Sequence, residues 1–260
     1  MQAPPVPRRE VHAKMHGTQR EARGAARERR NARKAAAMAR YFEYGDEQTD
    51  YLKRRDERLG AVIEQVGHVY RAVDDDLFSS VVHHIIGQQI STKAQRTVWL
   101  RLREALGEVT PAAIDAAGRD ELQALGMTFR KADYLKGFAA KVESGAFDLD
   151  AVRGMSDADA TAALCSIEGV GTWTAEMILL FCLQRPDVLS FGDAGIRRGM
   201  RMVYGRRDID RERFERFARR LAPCGSVASL YFWAVSGGAV PGLDDPGAPA
   251  AKGRRTAQSA

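Results

Sequence analysis

The chain has 260 residues, 45% of them hydrophobic, and a formal net charge of +6, a size and composition that suit one or two globular domains with a real core. No run approaches the ~18 consecutive apolar residues of a membrane span, and the first residues lack an apolar secretory segment, so neither a membrane protein nor a secreted one is expected. The positive balance is local: residues 1–40 carry 11 lysines and arginines against 3 acids, and residues 41–240 carry 26 against 29, so a nucleic-acid contact by the folded part would need local patches or backbone amides.

Residues 1–45 are rich in Arg, Ala and Glu, hold prolines at 4, 5 and 7, and repeat no apolar face. They read as a disordered or weakly helical basic tail that would add non-specific phosphate affinity. One helical domain is expected over 46–240, followed by a flexible tail over 241–260. Behind the start signal Asp74-Asp75-Asp76, Leu77, Phe78, Val81, Val82, Ile85 and Ile86 recur at helical spacing. His83 and His84 lie on that helix as core or groove histidines, without a catalytic assignment. Gly87-Gln88-Gln89-Ile90 turns the chain, and Ser91 can cap a helix carrying Ala94, Val98, Leu102 and Ala105.

Short helices are predicted within 111–125, then longer ones near 130–143, 157–165, 172–183, 194–204, 210–221 and 226–236. Alternating strand patterns are absent, so the fold class is all-α with short connections. The helices at 194–204 and 210–221 expose Arg197, Arg198, Arg201, Arg211, Arg213, Arg216, Arg219 and Arg220. Such runs suit either DNA contact or a solvated face diluted by Glu212 and Glu215. Cys165, Cys182 and Cys224 form no paired motif. They read as reduced core cysteines of a cytoplasmic protein, too few for a zinc or four-cysteine cluster.

Leu164–Ala175 joins two helices through Gly169-Val170-Gly171. Glycines permit positive φ and close approach, and the amides near a helix N-terminus make an anion site. Gly169, Val170, Gly171 and Thr172 are therefore candidates for holding a DNA phosphate without a lysine. Asp193 directly precedes the 194–204 helix, where it can serve as an ordinary cap. At such a position helix dipole and amides also stabilise negative charge.

Together these segments resemble the helix-hairpin-helix (HhH-GPD) DNA glycosylase superfamily. Phe191-Gly192-Asp193-Ala194-Gly195 is similar to the family's Gly/Pro-rich loop and its Asp. Ile85–Ser91, and Leu125-Gly126-Met127 with Arg130-Lys131-Ala132, resemble landmarks of the 3-methyladenine DNA glycosylase II branch. The resemblance runs over roughly 60–237. It implies two helical lobes with the site in the groove between them, and residues 1–50 are too short and polar for the N-terminal β-domain of some members.

The implied function is monofunctional N-glycosylase action on alkylated purines of the 3-methyladenine and 7-methylguanine type, by base flipping and Asp-assisted hydrolysis. Asp193 is the implied catalytic carboxylate. Bifunctional members carry a Schiff-base lysine where this chain has Trp173, so no strand-nicking lyase step is expected. Trp173, Trp233 and Met177 would border the base pocket, Met177 standing where the branch can show a tyrosine. Gln88 and Gln89 fall at the DNA wedge. The partner implied is damaged duplex DNA, bound by a monomer at the bacterial nucleoid. No organic cofactor or metal centre is implied, with room for an alkali ion on the hairpin carbonyls. A non-enzymatic hairpin DNA-binding module and a glycosylase for deaminated bases are the alternatives.

Overall fold

The computed structural model describes residues 40–248. The tail expected over 1–45 lies outside them up to residue 39, as does the end of the chain from residue 249. Residues 41–44, expected in that tail, instead pack on the domain. Phe42 is buried, Tyr44 lies against the core, and Phe42 N–H donates to the Arg71 carbonyl at 2.8 Å. Beyond residue 240, Asp245 accepts from Arg201 Nε at 2.8 Å and Nη2 at 2.6 Å. The packed part therefore reaches past 46–240 at both ends.

The described residues form α1 (Asp46–Arg55), α2 (Glu57–Val66), α3 (Leu77–Gly87), α4 (Thr92–Leu106), α5 (Pro111–Ala116), α6 (Arg119–Ala124), α7 (Phe129–Glu143), α8 (Leu149–Gly154), α9 (Asp157–Cys165), α10 (Thr172–Phe181), α11 (Ala194–Tyr204), α12 (Arg211–Leu221) and α13 (Gly225–Ser236). The architecture is all-α among these residues, with one isolated bridge between Tyr41 and Ala72. No described helix is long and apolar enough to cross a membrane. Side-chain caps fix many starts: Asp76 accepts from Ser79 N, Ser91 from Ala94 N, Thr128 from Lys131 N and Asp210 from Arg213 N. Each such cap contributes about 1 kcal/mol.

Two lobes result. Helices α3 to α10 pack among themselves, while α1 and α2 pack with α11 to α13. Phe78 stacks on Phe138 at 5.0 Å in the first lobe, and Tyr204 on Phe217 at 3.9 Å in the second. The first lobe is thus a continuous insertion into the second, and the chain must cross between them twice. One crossing is the non-helical stretch 67–76, tied to α10 where Asp74 N–H donates to the Phe181 carbonyl at 3.0 Å. The other is the loop 182–193, which delivers Asp193 to the start of α11.

Candidate active site

A cavity of about 880 Å³ opens between the lobes. The first lobe supplies His83, His84, Gln95, Trp99, Trp173, Met177 and Phe181; the second supplies Asp193 and Trp233; the crossing stretch supplies Tyr70, Arg71 and Asp74. The structure thus places Asp193, Trp173, Met177 and Trp233 around one cavity.

Asp193 caps α11, Oδ1 accepting from Ile196 N–H at 2.8 Å. Two further donors converge on it: Trp233 Nε1 reaches Oδ1 at 2.9 Å and Trp173 Nε1 reaches Oδ2 at 2.9 Å. The carboxylate is only 7% exposed. Gly195 makes this geometry accessible, since a Cβ there would stand 2.8 Å from Trp233 Cδ1 and 3.1 Å from Asp193 Oδ1. The two tryptophans are therefore more than pocket walls, because their N–H groups hold the carboxylate. Three of its roughly four acceptor directions are occupied, which leaves one for sugar or water.

Trp233 also stacks on Phe181 at 5.5 Å. The Arg71 guanidinium lies over both rings, 5.3 Å from Phe181 and 5.7 Å from Trp233. Its partial desolvation lowers its pKa, opposed by the negative charge of Asp193. On the other wall, burial depresses His83 to about 4 and also lowers His84, whose Nδ1 lies 2.8 Å from the Ser80 carbonyl. Asp74 is pushed up, chiefly by burial. Behind the Asp193 loop, Glu176 accepts a hydrogen bond from Ser190 Oγ. Burial first, and the charge of Asp193 more weakly, raise its carboxyl.

The hairpin leads into α10, whose Trp173 lines the cavity. Gly169 adopts φ +87°, and a Cβ there would meet Tyr134 Cδ2 at 2.3 Å, so glycine is required twice over. Not every amide of the turn is free: Val170 N–H donates to the Ile167 carbonyl at 3.0 Å and its side chain is buried. Gly171 is the N-cap of α10 and no side chain caps that helix. The exposed start at Gly171, Thr172 and Trp173 is the open part of the expected phosphate site.

The two glutamines of the expected wedge separate. Gln88 Nε2 donates to the Gly169 carbonyl at 2.7 Å and to Thr174 Oγ1 at 3.3 Å, bracing the hairpin rather than projecting from the groove. That carbonyl, one of the oxygens open to an alkali ion, is thereby engaged. Among the described residues, no cluster of three or more His, Cys, Asp or Glu could hold a metal. Gln89 remains at the exposed tip with φ +57°. Lys131 secures the same turn, Nζ donating to the carbonyls of Ile86 at 2.7 Å and Gln88 at 2.6 Å.

Many of the α11 and α12 arginines pair within the chain: Arg201 with Asp245, Arg211 with Glu215, Arg216 with Glu212 and Arg220 with Asp56. Sequence reasoning missed Arg71, Phe181, Glu176 and the bracing by Gln88 and Lys131. No apolar/polar alternation marks the stretch between Gly67 and Asp74, so nothing local announced Arg71.

Residues 82–224 match the family model described as "HhH-GPD superfamily base excision DNA repair protein". The chain is 26% identical over 194 residues to DNA-3-methyladenine glycosylase 1 of Schizosaccharomyces pombe, covering 72% of this chain and 85% of that protein. Among solved structures, DNA-3-methyladenine glycosidase of Bacillus halodurans is 32% identical with a TM-score of 0.68, covering 76% of this chain and 93% of the other. The S. pombe 3-methyladenine DNA glycosylase in complex with abasic DNA is 25% identical with a TM-score of 0.67, covering 74% and 97%.

Proposed function

The chain belongs to the HhH-GPD superfamily of base excision DNA repair proteins, and on that premise we propose that it is a monofunctional DNA N-glycosylase releasing alkylated purines. The observation that carries this reading is the convergence of Trp173 Nε1, Trp233 Nε1 and Ile196 N–H on Asp193 inside an aromatic-walled cavity. A fixed, dehydrated carboxylate suits a reaction whose transition state carries positive charge on the sugar. The names and complexes of the relatives support DNA as the partner and methylated purine as the lesion.

In this reading a lesion leaves the stack and enters the cavity beside Trp173, Trp233 and Met177. The C1′–N bond lengthens, and Asp193 stabilises the oxocarbenium-like sugar through its free acceptor direction. The bond breaks with its electron pair going to the cationic base, which leaves neutral, and water adds to C1′ and gives its proton to solvent, leaving a hydroxyl in place of the base. No lysine is among the described residues that line the cavity, which supports a water nucleophile over a Schiff base. The open N-terminus of α10 takes a backbone phosphate, and Gln89 fills the gap left by the extruded base.

The test is incubation with methylated duplex DNA, chromatography of the released bases, and a denaturing gel for strand breaks. The wild type should release 3-methyladenine and 7-methylguanine without nicking the strand. Asp193→Asn should abolish release and retain duplex binding. Release undiminished in Asp193→Asn would sink the catalytic assignment, and lysine-free strand cleavage would sink the monofunctional one.

A further inference from the structure

Loop 182–193 ends at Asp193, so whatever pins the loop sets where the carboxylate stands. Its middle is held by the second lobe. Val188 N–H donates to Ser226 Oγ at 2.9 Å, Ser229 Oγ donates to the Val188 carbonyl at 2.8 Å, and Gly225 N–H donates to Asp187 Oδ1 at 3.0 Å. The Phe191 ring packs edge-on against Phe214 at 5.2 Å, with the guanidiniums of Arg197 and Arg211 at 5.1 and 4.9 Å from its centre. Asp193 Oδ1 is also held from the second lobe, by Ile196 N–H and Trp233 Nε1.

Over residues 189–193, two side-chain hydrogen bonds among the described residues reach back to the first lobe, and both end on α10. Trp173 Nε1 donates to Asp193 Oδ2 at 2.9 Å, and Ser190 Oγ donates to Glu176 Oε2. Trp173 and Glu176 stand three residues apart, neighbours on one side of the helix. Ser190 is fully buried, so its hydroxyl, if left without an acceptor, would bear its full desolvation penalty. Its carbonyl accepts from Asp193 N–H at 3.4 Å, which passes the position of Ser190 on to Asp193. Burial raises the Glu176 carboxyl, while the Ser190 hydrogen bond and the Arg211 cation oppose that and favour the ionised acceptor. Glu176 does not line the cavity.

We propose that Glu176 is a positioning residue for the reaction: through Ser190 it clamps the tip of the loop to α10, so the helix that carries the hairpin's open N-terminus also sets the reach of Asp193. This rests on the glycosylase reading above. From Thr172 to Glu176 is about 6 Å at 1.5 Å per residue. A phosphate docked at the first turn of α10 therefore fixes both ties to the loop along with the helix. The two carboxylate oxygens differ in consequence. Oδ1 stays with its second-lobe donors when the clamp is lost, whereas Oδ2 depends on the lobes being in register.

The experiment measures single-turnover release of 7-methylguanine from duplex DNA across protein concentrations, for wild type, Glu176→Ala, Glu176→Gln, Ser190→Ala and the double variant of Glu176→Ala with Ser190→Ala. Glu176→Ala should lower the saturating rate about 10–100-fold, the scale of a misplacement of order 1 Å, and leave the half-saturating concentration unchanged. Glu176→Gln keeps an oxygen that accepts from Ser190 and should recover most of the rate. Ser190→Ala should match Glu176→Ala, and the double variant should lose no more than either, because the same tie is broken. The indole N–H resonances of the three tryptophans, assigned with Trp173→Phe, give a second readout. In Glu176→Ala the Trp173 signal should shift and exchange faster with solvent while the Trp233 signal holds; in Glu176→Gln neither should move. A lower unfolding midpoint with the rate per folded molecule and the Trp173 signal unchanged would make Glu176 a stability residue and overturn the inference. So would a loss in Glu176→Gln equal to that in Glu176→Ala, or weaker binding at an unchanged rate. In each of these cases the glycosylase reading stands on release by the wild type. A wild type that releases no methylated base sinks that reading and, with it, the role of Glu176 in the reaction.

Discussion

Trp173 donates its indole N–H to Asp193 Oδ2 at 2.9 Å. The ring is 43% exposed, so its tie to the carboxylate, more than burial, defines where it sits. Trp173→Phe keeps an aromatic face and removes the donor. The expected result is a fall in kcat of about 10–100-fold, from a charge-assisted hydrogen bond worth about 1.5–3 kcal/mol, with little change in KM for lesion-bearing duplex. Single-turnover rates across DNA concentrations separate the two. A raised KM with unchanged kcat would make Trp173 a pocket wall instead of a positioning residue.

Gln88 and Gln89 are neighbours in sequence with opposite assignments. Gln88→Ala breaks the link from the α3–α4 turn to the hairpin at Gly169, and should lower unfolding stability by about 1 kcal/mol and weaken binding to all duplexes alike. Gln89→Ala removes an exposed side chain at the tip. It should leave stability within about 0.5 kcal/mol of wild type and slow release of a damaged base more than binding of intact duplex. Urea unfolding and duplex affinity, measured on both variants, check the pair. Equal behaviour of the two would restore the expectation that both form the wedge.

Where apolar periodicity is strong, the sequence already locates the structure. Ile196, Met200 and Val203 mark α11, and Phe214, Phe217 and Leu221 mark α12, whose start the structure moves by a single residue. Asp193 was legible for the same reason, since a cap is read from the helix behind it. Helix α8 escaped because six residues with one buried side chain, Val152, carry no period. Arg71 escaped because its neighbours, Phe181 and Trp233, are 110 or more residues away in the chain. Glycines 169 and 171 announced the hairpin, but nothing local announces that the Gly169 carbonyl is held by Gln88.

Asp56 is a stability site away from the cavity. It is 4% exposed and caps α2, Oδ1 accepting from Leu59 N–H at 3.0 Å. Its Oδ2 accepts from Tyr204 hydroxyl at 3.0 Å and Arg220 Nη1 at 3.1 Å, tying α2 to α11 and α12. Asp56→Ala loses a cap and orphans the buried Tyr204 hydroxyl, for an expected cost of about 2–4 kcal/mol. The urea midpoint should fall accordingly. Release of methylated base per folded molecule should hold, because Asp56 does not line the cavity.

The two cavity histidines predict acid sensitivity of the fold. Burial holds His83 at about 4 and lowers His84, against 6.5 for the free side chain. Between those values the unfolded chain binds more protons than the folded one, so stability rises with pH there. The stabilisation is complete above pH 6.5 and is lost as pH falls from 6.5 toward 4. His83 alone accounts for about 2–3 kcal/mol across that window at 1.36 kcal/mol per pH unit. Unfolding free energies at pH 7.5, 6, 5 and 4 should therefore decline. His83→Gln, which cannot take the proton, should flatten that decline while its stability at pH 7.5 reports only the packing lost against Trp99, 4.8 Å away. An unchanged slope in the variant would show that His83 is already protonated in the folded protein.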